Sequence, residues 1–187
     1  MDNHEANERI LAAAENLYYR KGFAAVGMDE LRTAAGVSLR RLYGLYPSKT
    51  DIVTAVLARK HTEWEHGLTE AVAAAGNDAH ERLLAVYGYL EDWFCSDGFR
   101  GCAFINAFGE LGGTNPAIAQ IVREHKAAFQ SYMNGLVSDI GGSELLAAQL
   151  SILAEGAQTT AAISTDPHVA TQARAAAEVL IGTALAR

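Results

Sequence analysis

Helix breakers are nearly absent from this chain, and that constrains its fold more than anything else. Only 3 of 187 residues are Pro, and alanine runs recur at Ala12 to Ala14, Ala73 to Ala75 and Ala175 to Ala177. Such a sequence favours helix throughout, because alanine has the highest helix propensity and proline the lowest. Apolar spacing agrees. Ile10, Ala13, Ala14, Leu17 and Tyr18 fall at i, i+3, i+4, i+7 and i+8, one face of a helix over 7–20. The punctuation predicts eight more. Gly22 ends the first helix, and Gly36 ends a second at Met28 to Ala35. Ser38 caps a third, Leu39 to Leu45, which Tyr46-Pro47 breaks. Ser48 caps a long helix to about Ala75, with Asp51 three residues on as an acidic capping-box partner. Further helices follow at 79–95, 102–111, from Pro116 to about Ile140, at 143–164, and from Pro167 to about Ala186. No stretch alternates with period two, so the expected class is all-α.

Half the residues are hydrophobic and 20% are charged, which excludes a disordered or collagen-like chain. The polar start MDNHEANERI holds no apolar signal core, and no apolar run reaches the length of a membrane span. The expectation is a soluble, cytoplasmic protein. Two cysteines, Cys95 and Cys102, make no disulfide framework. There is no glycine-rich nucleotide loop after a strand, no nucleophile elbow and no HExxH, so no enzyme and no cofactor is expected. His61, Glu65 and His66 share a helical stretch, but a solvated face explains them better than a metal does.

The net charge of −7 hides an asymmetry. Residues 20–60 carry eight basic side chains (Arg20, Lys21, Arg32, Arg40, Arg41, Lys49, Arg59, Lys60) against three acids (Asp29, Glu30, Asp51). Residues 61–187 carry six basic and fifteen acidic ones. A basic module on an acidic body suits a protein that meets a polyanion at one end only. Within that module, two short helices flank a glycine turn, the outline of a helix-turn-helix whose second helix enters the major groove. Candidate DNA contacts are Thr33, Ser38, Leu39, Arg40, Arg41, Tyr43, Tyr46 and Lys49. The arginines can bind guanine or phosphate, and the tyrosine hydroxyls and Lys49 can reach phosphate.

The stretches ILAAAENLYYRKGF and MDELRTAAGVSLRRLYGLYPSKTDI resemble the N-terminal domain of the TetR family of bacterial transcriptional regulators. The likeness runs over about residues 8–55. It is carried by Ala14, the aromatic pair before Lys21-Gly22-Phe23, Gly36-Val37-Ser38, Leu42-Tyr43, Tyr46, Ser48-Lys49 and Ile52. GCAFINAFGEL, followed by Asn115-Pro116, is also similar to a stretch in several members. Three places depart from the family: Gly27 replaces a capping Ser or Thr, Arg32 a small residue, and Leu39-Arg40 a basic-then-small pair. The resemblance implies two domains, 1–47 for DNA and 48–187 for effector binding and dimerisation. It also implies a homodimer on a palindromic operator, and repression released by a small molecule.

The body can be searched for those functions. Aromatic residues crowd 87–108, and mostly apolar pockets hold most small ligands. The candidate effector site is Trp64, Tyr87, Trp93, Phe94, Cys102, Phe104, Asn106, Phe108 and Phe129, with Glu110 and His125 as further polar groups. The expected effector is apolar or aromatic. The candidate dimer face is Leu146, Leu150, Leu153 and Ala157 on one helix, with Ala177 and Leu180 on the last. Two other readings stay open at this point: a helical ligand-binding or adaptor protein without DNA binding, and a thiol-based sensor using Cys102, which follows Gly101 at a helix start.

Overall fold

Asp2 opens the chain's first helix by accepting the Glu5 amide at 2.8 Å, so α1 spans Asn3–Lys21 and begins before the apolar stripe does. In this computed structural model residues 1–186 are described, and 80% of the chain is helical with no strand among them. α2 (Met28–Ala35) ends on Gly36 in the left-handed region, φ +67°, whose amide reaches back to the carbonyls of Arg32 and Thr33. α3 (Leu39–Leu45) is capped by Ser38, which accepts the Arg41 amide at 3.2 Å. α4 (Lys49–Ala74) starts with a reciprocal box: the Ser48 amide donates to Asp51 at 2.8 Å, and the Asp51 amide to the Ser48 hydroxyl at 3.3 Å. α5 (Ala79–Phe94), α6 (Ala103–Ala107), α7 (Pro116–Asp139), α8 (Glu144–Ser164) and α9 (Val169–Leu185) complete the helices.

The helix expected over 102–111 is not uniform. After five residues of α6 the chain widens into a π-helical segment, Phe108–Gly112. π segments are rare and concentrate where a side chain must be re-aimed.

The residues form two compact units. The first comprises Met1–Thr62 with Ala103–Glu124, the second Glu63–Cys102 with His125–Arg187. In the first, α1, α2 and α3 enclose Ile10, Leu11, Ala14, Tyr18, Leu31 and Leu42, all buried. Tyr18 stacks on Phe23 at 5.0 Å between ring centres. In the second, α5, α8 and α9 pack round Leu83, Tyr87, Leu90, Met133, Leu150 and Ala177. The Tyr87 hydroxyl donates to the Leu150 carbonyl at 2.9 Å, so the largest wholly buried side chain keeps its polar end satisfied.

Candidate functional site

Gly36 turns the chain sharply enough to set α3 against α2, and the pattern of burial along α3 decides which side chains are free. Leu42 and Tyr46, four apart, point into the core. The opposite face, Ser38, Leu39, Arg40 and Tyr43, is exposed, with Leu39 at 38% and Tyr43 at 45%. Thr33, on α2, is exposed too, its hydroxyl donating to the Asp29 carbonyl at 2.8 Å. Arg40 makes no ion pair among the described residues, so its guanidinium is available to a ligand.

Arg41, Tyr46 and Lys49 are placed differently. Arg41 lies beside the buried face and donates to Asn3 Oδ1 at 3.1 Å, with its Nε buried and unpartnered. Tyr46 is buried, and its hydroxyl donates to Asn7 Oδ1 at 2.5 Å. Burial pushes its phenol above the usual tyrosine range, and Glu8 adds to that. The hydroxyl's one proton thus goes to Asn7 rather than outward, where the sequence led it to be expected on phosphate. Arg41 is tied to the start of α1 rather than turned outward. Lys49 donates to the Ala24 carbonyl at 2.9 Å. Partial burial lowers its pKa, and the Glu110 carboxylate opposes that shift. Asn3 and Asn7 are not picked out by the sequence reasoning. Their spacing of four, on the first turns of an amphipathic helix, is the signal that could have found them.

The expected effector residues divide between the units. Phe104, Asn106 and Phe108 belong to the first, where Phe104 is buried while Asn106 and Phe108 are exposed. Trp64, Tyr87, Trp93, Phe94, Cys102 and Phe129 belong to the second. There Trp64 meets Phe129 edge-on at 5.3 Å and His125 at 5.0 Å. Trp93 meets Phe99 edge-on at 5.2 Å, and Phe94 lies 4.9 Å from Phe99. Tyr87 is wholly committed to the core. Its hydroxyl is already committed as a hydrogen-bond donor to the Leu150 carbonyl, and burial pushes its phenol far above the usual range. A half-open cleft of about 220 Å³ lies where the end of α5 faces the end of α8, lined by Phe94, Asp97, Phe99, Ala161, Ala162 and Thr165 among others. Phe94 is the one expected effector residue that lines it. Glu110 is held elsewhere, accepting the Ala24 amide at 2.8 Å.

Cys102 is buried, with Lys126 Nζ 3.6 Å from its sulfur. Lys126 is itself paired with Glu155 at 2.5 Å. Cys95 is exposed. Among the described residues no three His, Cys, Asp or Glu side chains could hold a metal, and no helix is long and apolar enough to cross a membrane.

The expected dimer face is turned inward. Leu146, Leu150, Ala157 and Ala177 are buried within one chain, and Leu153 and Leu180 are half-buried against the same core. The exposed stripe of α8 is one residue round the helix: Leu145, Gln149, Ile152, Gly156, Thr159 and Ile163. Ile152 is 71% exposed and Ile163 80%. On α9 the exposed side carries Ala175, Ala176, Val179 and Gly182. The spacing of the α8 stripe, alternately four and three, is that of a helix seam.

Residues 10–56 match the sequence profile of the bacterial regulatory proteins of the tetR family. The transcriptional repressor NemR of Escherichia coli is 29% identical over 109 residues, covering 58% of this chain and 55% of NemR. The transcriptional activator FasR of Mycolicibacterium smegmatis is 30% identical over 142 residues, 75% of this chain and 62% of FasR. The chain thus spans little more than half the length of these relatives. Among solved structures, a TetR-family transcriptional regulator from Streptomyces coelicolor superposes with a TM-score of 0.89 at 27% identity, covering 96% of this chain and 90% of that one. Reduced E. coli NemR superposes with a TM-score of 0.82 at 23% identity, over 93% and 95% of the two chains, a likeness of fold.

Proposed function

The chain belongs to the TetR family of bacterial regulatory proteins, and from that premise we propose that it is a DNA-binding transcriptional regulator acting as a homodimer. One observation carries the reading: the exposed face of α3 presents Ser38, Leu39, Arg40 and Tyr43, and its arginine is unpaired. Ser38 and Arg40 lie at the helix N-terminus, where groove-reading side chains sit in helix-turn-helix proteins. Arg40 reads a base, most simply through both acceptors of a guanine. Tyr43, Thr33 and Lys49 hold phosphate. Arg41 and Tyr46 do not read DNA. They fasten α3 to α1 through Asn3 and Asn7 and so set its angle.

Two such heads, joined by dimerisation through the exposed faces of α8 and α9, meet a palindromic operator. Regulation is repression released by an apolar or aromatic effector bound near the aromatic groups of the second unit, Trp64–Phe129 and Trp93–Phe94–Phe99. α4, 26 residues and about 39 Å long, carries residues of both units on one helix, which supports a mechanical link between effector and head. The effector binds the free form more tightly than the DNA-bound form, since otherwise it shifts nothing. DNA binding puts the work of the protein in the cytoplasm.

The test is selection of duplexes from a random library by the wild-type chain, then titration of the winners. Arg40→Ala should weaken the selected site by an amount on the order of 1–3 kcal/mol, mostly as lost discrimination at one base pair. Failure of the wild type to enrich any sequence would remove the reading altogether. For the effector, quenching of Trp64 and Trp93 by a hydrophobic compound should track release of DNA.

A second reading has the Lys126–Cys102 contact in its favour: the thiol as the sensing group, oxidised by a peroxide to a sulfenic acid with loss of water. Peroxide would then free DNA from the wild type and not from Cys102→Ser.

A further inference from the structure

Glu110 sits on the π-helical segment Phe108–Gly112, yet its carboxylate ends 86 residues back along the sequence, on the turn that leads into α2. Both partners lie in the first unit. The Ala24 amide donates to Glu110 Oε2 at 2.8 Å. The Ala24 carbonyl accepts from Lys49 Nζ at 2.9 Å. One residue of the turn is therefore fastened at both its polar groups, by a carboxylate on one side and an ammonium on the other.

Three further facts belong to this arrangement. Gly22 adopts φ +89°, where side chains are rare, and a Cβ there would meet the two Glu110 oxygens at 2.9 and 3.0 Å. The missing side chain of Gly22 is the space the carboxylate occupies. The N-cap of α2 is Gly27, which offers no side-chain hydrogen bond, so the entry to that helix lacks a cap of its own. Lastly, the segment that carries Glu110 is tied a second time. Asn115 donates through Nδ2 to Thr50 Oγ1 at 2.9 Å and accepts the Ile118 amide on Oδ1 at 3.3 Å. The two ties fall on either side of Lys49, at Ala24 and at Thr50.

We propose that Glu110 is a positioning residue for DNA binding. Its hydrogen bond to the Ala24 amide fixes the turn before α2 and, through the Ala24 carbonyl, the place where Lys49 waits for a phosphate. The inference rests on the DNA-binding reading above. Glu110 touches no DNA itself. It fastens the turn that leads to the uncapped start of α2, from a distant part of the chain. The π-helical widening is the local feature that aims its side chain, since a regular helix would carry residue 110 to a different rotation.

The test uses the full chain and the duplex that the wild type selects from a random library. If the wild type selects nothing, the DNA-binding reading itself fails, a result distinct from failure of the Glu110 role. Given a selected duplex, Glu110→Ala should weaken it by about three- to tenfold, the range for loss of one ordinary hydrogen bond at an exposed site. Glu110→Gln keeps an acceptor oxygen for the Ala24 amide and should bind within about twofold of wild type. Gly22→Ala pushes the carboxylate out but also strains a backbone at φ +89°, so its coupling to Glu110→Ala is what is read: the combined variant should lose less than the sum of the two. Thermal melting followed by circular dichroism gives the folded fraction by which each affinity is corrected. Rescue by Gln together with non-additivity at Gly22 supports the role. Wild-type or tighter binding by Glu110→Ala would mean that the carboxylate is idle or competes with phosphate, and overturns it. So would equal losses in the Ala and Gln variants, or a loss that vanishes once the folded fraction is counted.

Discussion

Ile152→Glu should separate the dimer while leaving the protomer folded. Ile152 stands 71% exposed on α8 in a single chain, midway along the stripe from Leu145 to Ile163. Burying a whole isoleucine contributes about 1.5–3 kcal/mol, so covering the exposed two-thirds of this one contributes about 1–2 kcal/mol per copy. Symmetry doubles it, because a two-fold interface uses the same residue from both chains. Glutamate forfeits that burial and brings two like charges into a dry seam, each costing at least another ~1–3 kcal/mol. The total is on the order of 5 kcal/mol, which weakens dimerisation by nearly four orders of magnitude. Sedimentation equilibrium near micromolar concentration reads this directly, with circular dichroism to confirm the helices. Leu150→Ala is the control. Leu150 is fully buried in its own chain, so its truncation should cost ~2–5 kcal/mol of protomer stability and leave the association of folded chains unchanged. If Ile152→Glu sediments as the wild type does, the exposed stripe is not the interface. If Leu150→Ala dissociates a protein that still melts normally, the inward face is the interface instead.

Two other outcomes arise from buried groups. Tyr18 and Tyr87 both have phenols raised by burial above the ordinary 10.0, so the stability tied to their neutral forms is complete below pH 10 and erodes as the pH climbs toward their folded-state values. Their tyrosinate absorbance should therefore rise only along with loss of helix in an alkaline titration. Tyr87→Phe should cost about 1 kcal/mol through the lost bond to the Leu150 carbonyl, measured by denaturant unfolding. On α3, Arg41→Ala should reduce affinity for all duplexes alike and lower the melting temperature. Arg40→Ala should leave melting unchanged and lose discrimination at one base pair.

The helices are legible in the sequence because their boundaries are set locally. Ser48 with Asp51, and Gly36 after Ala35, act within a few residues, and the structure keeps each where the spacing places it. The residues expected at the dimer face turn inward for a physical reason. Periodicity finds the most apolar side of a helix, and on α8 that side, Leu146, Leu150, Ala154 and Ala157, is taken by the protomer's own core. The exposed side is weaker in composition, with Gly156, Thr159 and Gln149 between Leu145, Ile152 and Ile163. A helix with two apolar sides has one for each neighbour, and the richer one goes to the fold. The role of Glu110 is not legible at all. It depends on a π-helical segment and a contact 86 residues away, and neither leaves a periodic trace.

Counting charges singles out one module, and the contacts within it refine the count. Of the eight basic side chains in residues 20–60, several are already matched inside the first unit. Lys21 pairs with Glu30, Arg32 with Asp29, Arg59 with Glu8 and Glu15, and Lys60 with Glu15. Surface pairs of this kind contribute little to stability, and they cancel much of the field their basic members would project. The surplus is thus smaller than its formal size, and it is directional. What remains unmatched includes Arg40, on the one face of α3 that the core does not use. Leu42 and Tyr46 point inward and rotate Arg40 outward, while Arg41, about a hundred degrees round the same helix, is drawn to Asn3. Two adjacent arginines of identical charge are so placed differently, one turned outward and free, the other bonded to Asn3 at the start of α1. Packing makes that division, and a count of charges cannot.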